Sequence, residues 1–193
     1  MGARAIIDID DDTGGHARFW SGWASPHYQI PHLARFVHDT DATGEALTLA
    51  AYRAWAAGHP DTLPIVVLDV PAGGRTAALP DDLDYRYRLR LSTRPSGAHY
   101  TVAERSRRRR TPRWHTTHTL SSRGQLFRAA ADMCEALARN TERYAGRNDG
   151  TGLPGFPSAE QWRTEAAVFT AWYEATDRPA PGTTTAAGPP PLG

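Results

Sequence analysis

The strictest polar–apolar alternation in the chain runs from Tyr85 to Leu91, where Tyr85, Tyr87, Leu89 and Leu91 interleave with Arg86, Arg88 and Arg90. Successive side chains of a strand point to opposite faces, so this pattern predicts a strand with one apolar and one arginine face. Pro95-Ser96-Gly97 predicts a turn. Tyr100 and Val102 continue the apolar face on a second strand, leaving Thr101, Ala103 and Arg105 on the arginine side. Arg107 to Arg110 and Pro112 fall in the following loop, and Trp114 to Leu120 predicts the third strand of an antiparallel meander. Strict alternation turns Tyr100 and Trp114 towards the core and sends His115 and His118, three residues apart, to opposite faces.

Upstream, Arg4 to Asp10 predicts a strand, Asp11-Asp12-Thr13-Gly14-Gly15 a turn, and His16 to Trp23 the returning strand of a hairpin. Ala24-Ser25-Pro26 breaks it, and Pro31 suits the first position of a short helix reaching His38. Glu45 to Gly58 predicts a second helix with Leu47, Ala51, Ala54 and Trp55 on one face, and Leu63 to Val70 an apolar strand. After the meander, Ser122 with Gln125 and Ser158 with Gln161 are capping boxes. The first opens a helix to about Asn140 with a stripe of Leu126, Ala130, Met133 and Leu137; the second opens an amphipathic helix with Trp162, Ala166, Phe169 and Tyr173.

These elements predict an α+β fold: an N-terminal β-hairpin, two helices, an antiparallel β-meander with an arginine-rich face, two C-terminal helices and a disordered tail. The expected organisation is a core domain over residues 1–145, a Gly/Pro linker over 146–157, a C-terminal helix over 158–176 packing on the core, and a Pro/Thr/Gly/Ala tail over 177–193.

Composition narrows the chemistry. All 22 basic residues are arginine. Without lysine there is no P-loop lysine and no Schiff-base amine. An arginine-only chain rich in Ala, Gly and Pro also reflects GC-rich coding, so abundant arginine alone does not argue for a nucleic-acid binder. Six Trp and 40% apolar residues predict a folded globule. No apolar run approaches a membrane span, no secretory leader is evident, and the single cysteine, Cys134, excludes an internal disulfide. A cytoplasmic protein without membrane contact is expected.

The net charge of +1 conceals a segregation. Between Arg86 and Arg128 stand twelve arginines and one acid, Glu104, a balance of +11; the remainder holds ten arginines and twenty acids, −10. Guanidinium groups engage phosphate oxygens in planar, often bidentate geometry. A strand presenting one every second residue spaces them ~6.6 Å apart, close to successive phosphates of an extended single strand. The candidate nucleic-acid-binding residues are therefore Arg86, Arg88, Arg90, Arg105, Arg107, Arg108, Arg109, Arg110 and Arg113. The expected function is a non-enzymatic accessory protein contacting DNA or RNA phosphates, with no cofactor and no metal. The alternative is a protein-interaction module whose basic face binds an acidic partner or a second copy of the chain.

Other candidates carry competing bland readings. Asp8-Ile9-Asp10-Asp11-Asp12-Thr13 resembles the nucleophile loop of haloacid-dehalogenase-like phosphotransferases, which implies a Mg-dependent hydrolase or phosphotransferase using Asp8, Asp10 and Asp12. Asp12 stands where that pattern has Thr or Val, and an acidic hairpin turn is the preferred reading of the run. His27, His32 and His38 lack regular metal-ligand spacing. Cys134 falls on a core-facing helix position, where thiols are inert. Trp20, Trp23, Trp55, Trp162 and Trp172 read as packing residues. The aromatic run Phe19-Trp20-Ser21-Gly22-Trp23-Ala24-Ser25-Pro26, followed later by Asp84-Tyr85-Arg86-Tyr87, resembles small uncharacterised proteins of actinobacterial phages and plasmids; this implies a mobile-element accessory role and no particular activity.

Overall fold

A computed structural model describes residues 3–22, 25–58, 67–70, 83–93, 99–105, 114–145 and 156–177, with backbone alone for 67–70, 99–105 and 177. Its strands are β1 (Ala5–Asp11), β2 (His16–Ser21), β3 (Val67–Val70), β4 (Tyr85–Leu91), β5 (His99–Arg105) and β6 (Trp114–Leu120). Its helices are α1 (Pro26–Ala42), α2 (Leu49–Gly58), α3 (Arg123–Ala145) and α4 (Ala159–Asp177). The fold is α+β.

The hairpin and the meander belong to one sheet, in the order β3-β2-β1-β4-β5-β6. β1 pairs with β2 antiparallel and with β4 parallel, with Ile6 opposite Arg86 and Asp8 opposite Arg88. β3 adds antiparallel to the outer side of β2. This places the Ile-rich β1 in the interior of the sheet. There its apolar residues are buried on both faces: Ile7 and Ile9 beneath the helices and Ile6 on the other side.

The helices cover one face. Ile30, Leu33 and Phe36 of α1, Tyr52 and Trp55 of α2, Phe127 and Cys134 of α3, and Trp162 and Phe169 of α4 join one core cluster with Ala5, Ile7 and Ile9, Ala17 and Phe19, and Tyr87, Leu89 and Leu91. The β4 parity expected from sequence therefore holds.

Several element boundaries differ from expectation. α1 starts at Pro26, so Pro26 occupies the first helical turn and Pro31 lies inside the helix. The buried stripe of Ile30, Leu33, Ala34 and Val37 extends across Pro31, and its loss of one intrahelical bond, to the His27 carbonyl, is outweighed by that burial. Gly44, at φ +72°, ends α1: Glu45 N–H donates to the Thr40 carbonyl and Gly44 N–H to that of Asp41. α2 starts at Leu49 rather than near Glu45, and Tyr52 takes the buried position assigned to Ala54, which is exposed. α3 runs to Ala145, beyond Asn140. The Pro95–Gly97 turn, the basic loop at 107–112, Trp23, most of the linker and the tail lie outside the described residues.

The capping box of α4 forms in full, and that of α3 forms in one arm. Ser158 Oγ accepts from Gln161 N–H at 3.1 Å while Gln161 Oε1 accepts from Ser158 N–H at 2.6 Å. At α3, Ser122 Oγ accepts from Gln125 N–H, but Gln125 returns its bond to Ser121 N–H at 2.8 Å, one residue earlier.

Candidate nucleic-acid interface

The sheet face opposite the helices is a lattice of polar rows. Cross-strand register aligns Trp20, Ile6, Arg86, Ala103 and Thr116 in one row, and Arg18, Asp8, Arg88, Thr101 and Thr119 in the next. A third holds His16, Asp10, Arg90 and His99. The arginines of β4 thus share their face with the aspartates of β1, which carry opposite charge one strand away.

Those aspartates are engaged. Arg18 grips Asp8 in a bidentate pair, Nε to Oδ1 at 2.6 Å and Nη2 to Oδ2 at 3.3 Å. Arg86 donates to the same Asp8 Oδ2 from Nε at 3.2 Å and Nη2 at 3.0 Å. Arg88 donates through the same two nitrogens to Asp10 Oδ2 at 3.3 and 3.2 Å, and His16 Nδ1 lies 2.7 Å from Asp10 Oδ1. The Asp8–Arg18 pair is buried, with side chains 6% and 8% exposed, whereas Arg86 and Arg88 remain 42% and 48% exposed. Burial alone would raise the Asp8 pKa; the guanidinium groups of Arg18 and Arg86 outweigh it and hold the carboxyl below the usual range.

Arg90 is exposed and has no carboxylate partner among the described residues. Of the other predicted contact residues, Arg105 is described by its backbone, opposite Trp114 and on the β5 side that continues Thr101 and Ala103. Arg107, Arg108, Arg109, Arg110 and Arg113 lie outside the described residues. They belong to the connection between Arg105 and Trp114, so both of its anchor points sit at the same corner of the sheet.

Two residues join this face beyond the arginines that the sequence predicts. The first is Arg18: His16, Arg18 and Trp20 alternate with Ala17 and Phe19 as a two-faced strand requires. The second is Trp114: strict alternation sends it to the core, and a β-bulge reverses it. Val102 pairs with His118 but Ala103 with Thr116, leaving Thr117 as an extra residue. Beyond the bulge the parity of β6 inverts. Trp114 comes to the arginine side, and His115 and His118 both fall on the helix side, opposite Glu104 and Val102. Accordingly Leu120 packs on the core cluster and Trp114 has no place in it. His118 is close enough to His27 of α1 for their charges to interact; burial first, and His118 second, lower the His27 pKa. Trp20, expected in the core, is half-buried on the polar side.

The remaining candidates have structural roles. Asp11 accepts from Gly15 N–H at 2.6 Å, Thr13 N–H at 3.1 Å and the Leu49 N–H that opens α2 at 2.9 Å. Asp12 accepts from Ser92 Oγ and Thr93 N–H, both at 2.9 Å, fixing the hairpin turn to the end of β4. The carboxylates that a Mg-dependent reaction would need are therefore bonded to the protein's own donors, and the described residues contain no cluster of three metal-ligating side chains. His32 sits among Tyr52 and Trp55, while His38 stacks on Trp172 at 3.5 Å between centroids. A cavity of about 420 Å³ between α1, α3 and α4 is lined by Arg35, Cys134, Trp162 and Glu165, with Arg35 ion-paired to Glu165. Burial pushes the Cys134 thiol up to about 12, so it remains a neutral thiol at physiological pH.

No family model, curated protein or solved structure matches the chain. Among the described residues, no helix is long and apolar enough to cross a membrane.

Proposed function

We propose that the chain binds nucleic acid through the β4–β6 half of the open sheet face and the basic connection between β5 and β6. The observation that carries this reading is the placement of Arg86, Arg88 and Arg90 on the sheet face away from the four helices, beside the corner at which a connection with five further arginines starts and ends. Four arginines against two aspartates leave the described part of that face positive. Division of labour follows from the pairing. Arg18 is buried and structural. Arg86 and Arg88 are partly neutralised and held in fixed orientations by Asp8 and Asp10. Arg90 supplies a cation with no carboxylate partner among the described residues, and the connection carries five further arginines in its sequence. Phosphate contacts of this type are sequence-tolerant and salt-sensitive.

Fluorescence anisotropy with a mixed-sequence oligonucleotide across a salt series tests the reading. Binding at micromolar or tighter concentration that weakens steeply with salt is expected, the slope giving the number of phosphates engaged. Replacing Arg107, Arg108, Arg109 and Arg110 together by Glu is expected to abolish binding and to flatten that dependence. Unchanged binding overturns the assignment of these residues. Absence of binding by the native chain at low salt favours the acidic-protein partner instead.

A further inference from the structure

We infer that the nucleic acid taken by this face is single-stranded, and that Trp114 stacks on one of its bases. The inference rests on the phosphate-binding reading above and adds to it a substrate class and an aromatic contact. Its basis is the bulge. Without Thr117 as an extra residue, Trp114 would enter the core beside Leu120; with it, the indole belongs to the arginine side of the sheet. There it is half-buried, and it has no ring contact or hydrogen bond among the described residues. A large apolar ring partly open to water on a basic face costs solvation free energy, and a base plane is the surface that would cover it.

The surroundings suit a flat ligand. Thr116 and Thr119 of β6 are exposed, and the register positions beside them on β5 are Ala103 and Thr101. Short residue types therefore occupy the register positions between Trp114 and the arginine column of β4. Two strand spacings across and one residue pair along the strand put the Trp114 and Arg86 Cα positions roughly 12 Å apart. That span fits an extended strand whose backbone follows the arginines while a base reaches the indole. A duplex offers no free base plane except at its ends, whereas a single strand offers one at every nucleotide.

The test uses the full chain and three labelled probes: a mixed-sequence 12-mer single strand, the corresponding 12-base-pair duplex compared per phosphate, and a 12-mer strand of the same phosphate number as the first in which most nucleotides are abasic. The native protein is expected to bind the base-bearing single strand about tenfold or more tighter than the abasic strand, and to prefer it to the duplex. Trp114→Leu is expected to erase the difference between the two strands without changing the salt slope, and Trp114→Phe to keep part of it. Equal affinity of the native protein for base-bearing and abasic strands overturns the stacking contact while leaving the phosphate reading standing. A preference for the duplex overturns the substrate class. No binding of any probe at low salt overturns both readings together. The strand comparison on the native protein decides the matter even if Trp114→Leu does not fold.

Discussion

Replacing Asp8 by Asn removes the negative charge that Arg18 and Arg86 share. Arg18, 7% exposed, would lose the carboxylate that it grips in a bidentate pair. Breaking a buried pair from one side costs about 3–5 kcal/mol, so thermal denaturation of Asp8→Asn is expected at a temperature lower by on the order of 10 °C. A loss below about 2 °C would show that the pair contributes little. The same residue sets an acid limit. Its folded pKa lies below the usual 3.8, so its contribution is complete above about pH 4 and is lost as the pH falls through the folded value. The native chain is expected to hold a constant denaturation temperature from pH 7 to about pH 5 as far as Asp8 is concerned, and to lose stability below pH 4. The Asp8→Asn variant should show a shallower acid limb. Both partners were visible in the sequence, but their pairing was not. Asp8 and Arg86 lie 78 residues apart, and only the parallel alignment of β1 with β4 makes them neighbours.

Asp11 acts between elements rather than within one. Its carboxylate closes the hairpin turn at Gly15 and, through the Leu49 N–H, satisfies one of the orphan donors at the start of α2. Asp11→Ala is expected to cost about 1–2 kcal/mol in chemical denaturation, comparable to loss of a helix cap. Thr48→Ala, which removes a cap bond to Ala51 N–H, should cost about 1 kcal/mol or less. If Asp11→Ala is neutral, α2 is opened by Thr48 alone. At this scale periodicity was a good guide where an element contains one uninterrupted pattern. The β4 alternation, the capping serines Ser122 and Ser158 and the stripes of α3 and α4 were legible for that reason. It failed at the two sites where the pattern contains an interruption that packing overrides. Pro31 reads as a helix start because its ring lacks an N–H, yet the apolar stripe on both sides of it is worth more than one lost bond. Thr117 is ordinary in composition, and the inversion it imposes on β6 follows from pairing with β5, which a single strand's sequence does not encode. The candidate site was therefore legible in its arginine column and not in its tryptophan.

For the molecule as a whole, the decisive contact is the parallel β1–β4 pairing that fuses hairpin and meander into one sheet. All four helices bury residues in the single cluster beneath that sheet. Equilibrium unfolding of the described core is accordingly expected as one transition, with far-ultraviolet circular dichroism and tryptophan fluorescence coinciding. Separate midpoints would show that the two halves are stable without each other. The charge segregation seen along the chain also resolves at this scale. The acidic hairpin is not a second pole remote from the arginines of β4 but the strand next to them, so part of the +11 balance of residues 86–128 is cancelled locally by Asp8 and Asp10.

The interior position of β1 has a consequence for synthesis. A ribosome adding roughly 5–20 residues per second needs about 4–16 s to pass from Asp8 to the Arg86 that completes its pairing, a separation of 78 residues. Through that interval the strand Ala5–Asp11 can pair with β2 alone, and its other edge, with Ile6, Ile7 and Ile9, stays open to any passing strand. The acidic residues interleaved there serve the nascent chain before they serve the folded one. Arg18 of β2 is available to Asp8 from the start, whereas Arg88, which pairs with Asp10, arrives only with β4; until then the carboxylates beside the open edge disfavour pairing with a second copy of the same emerging segment.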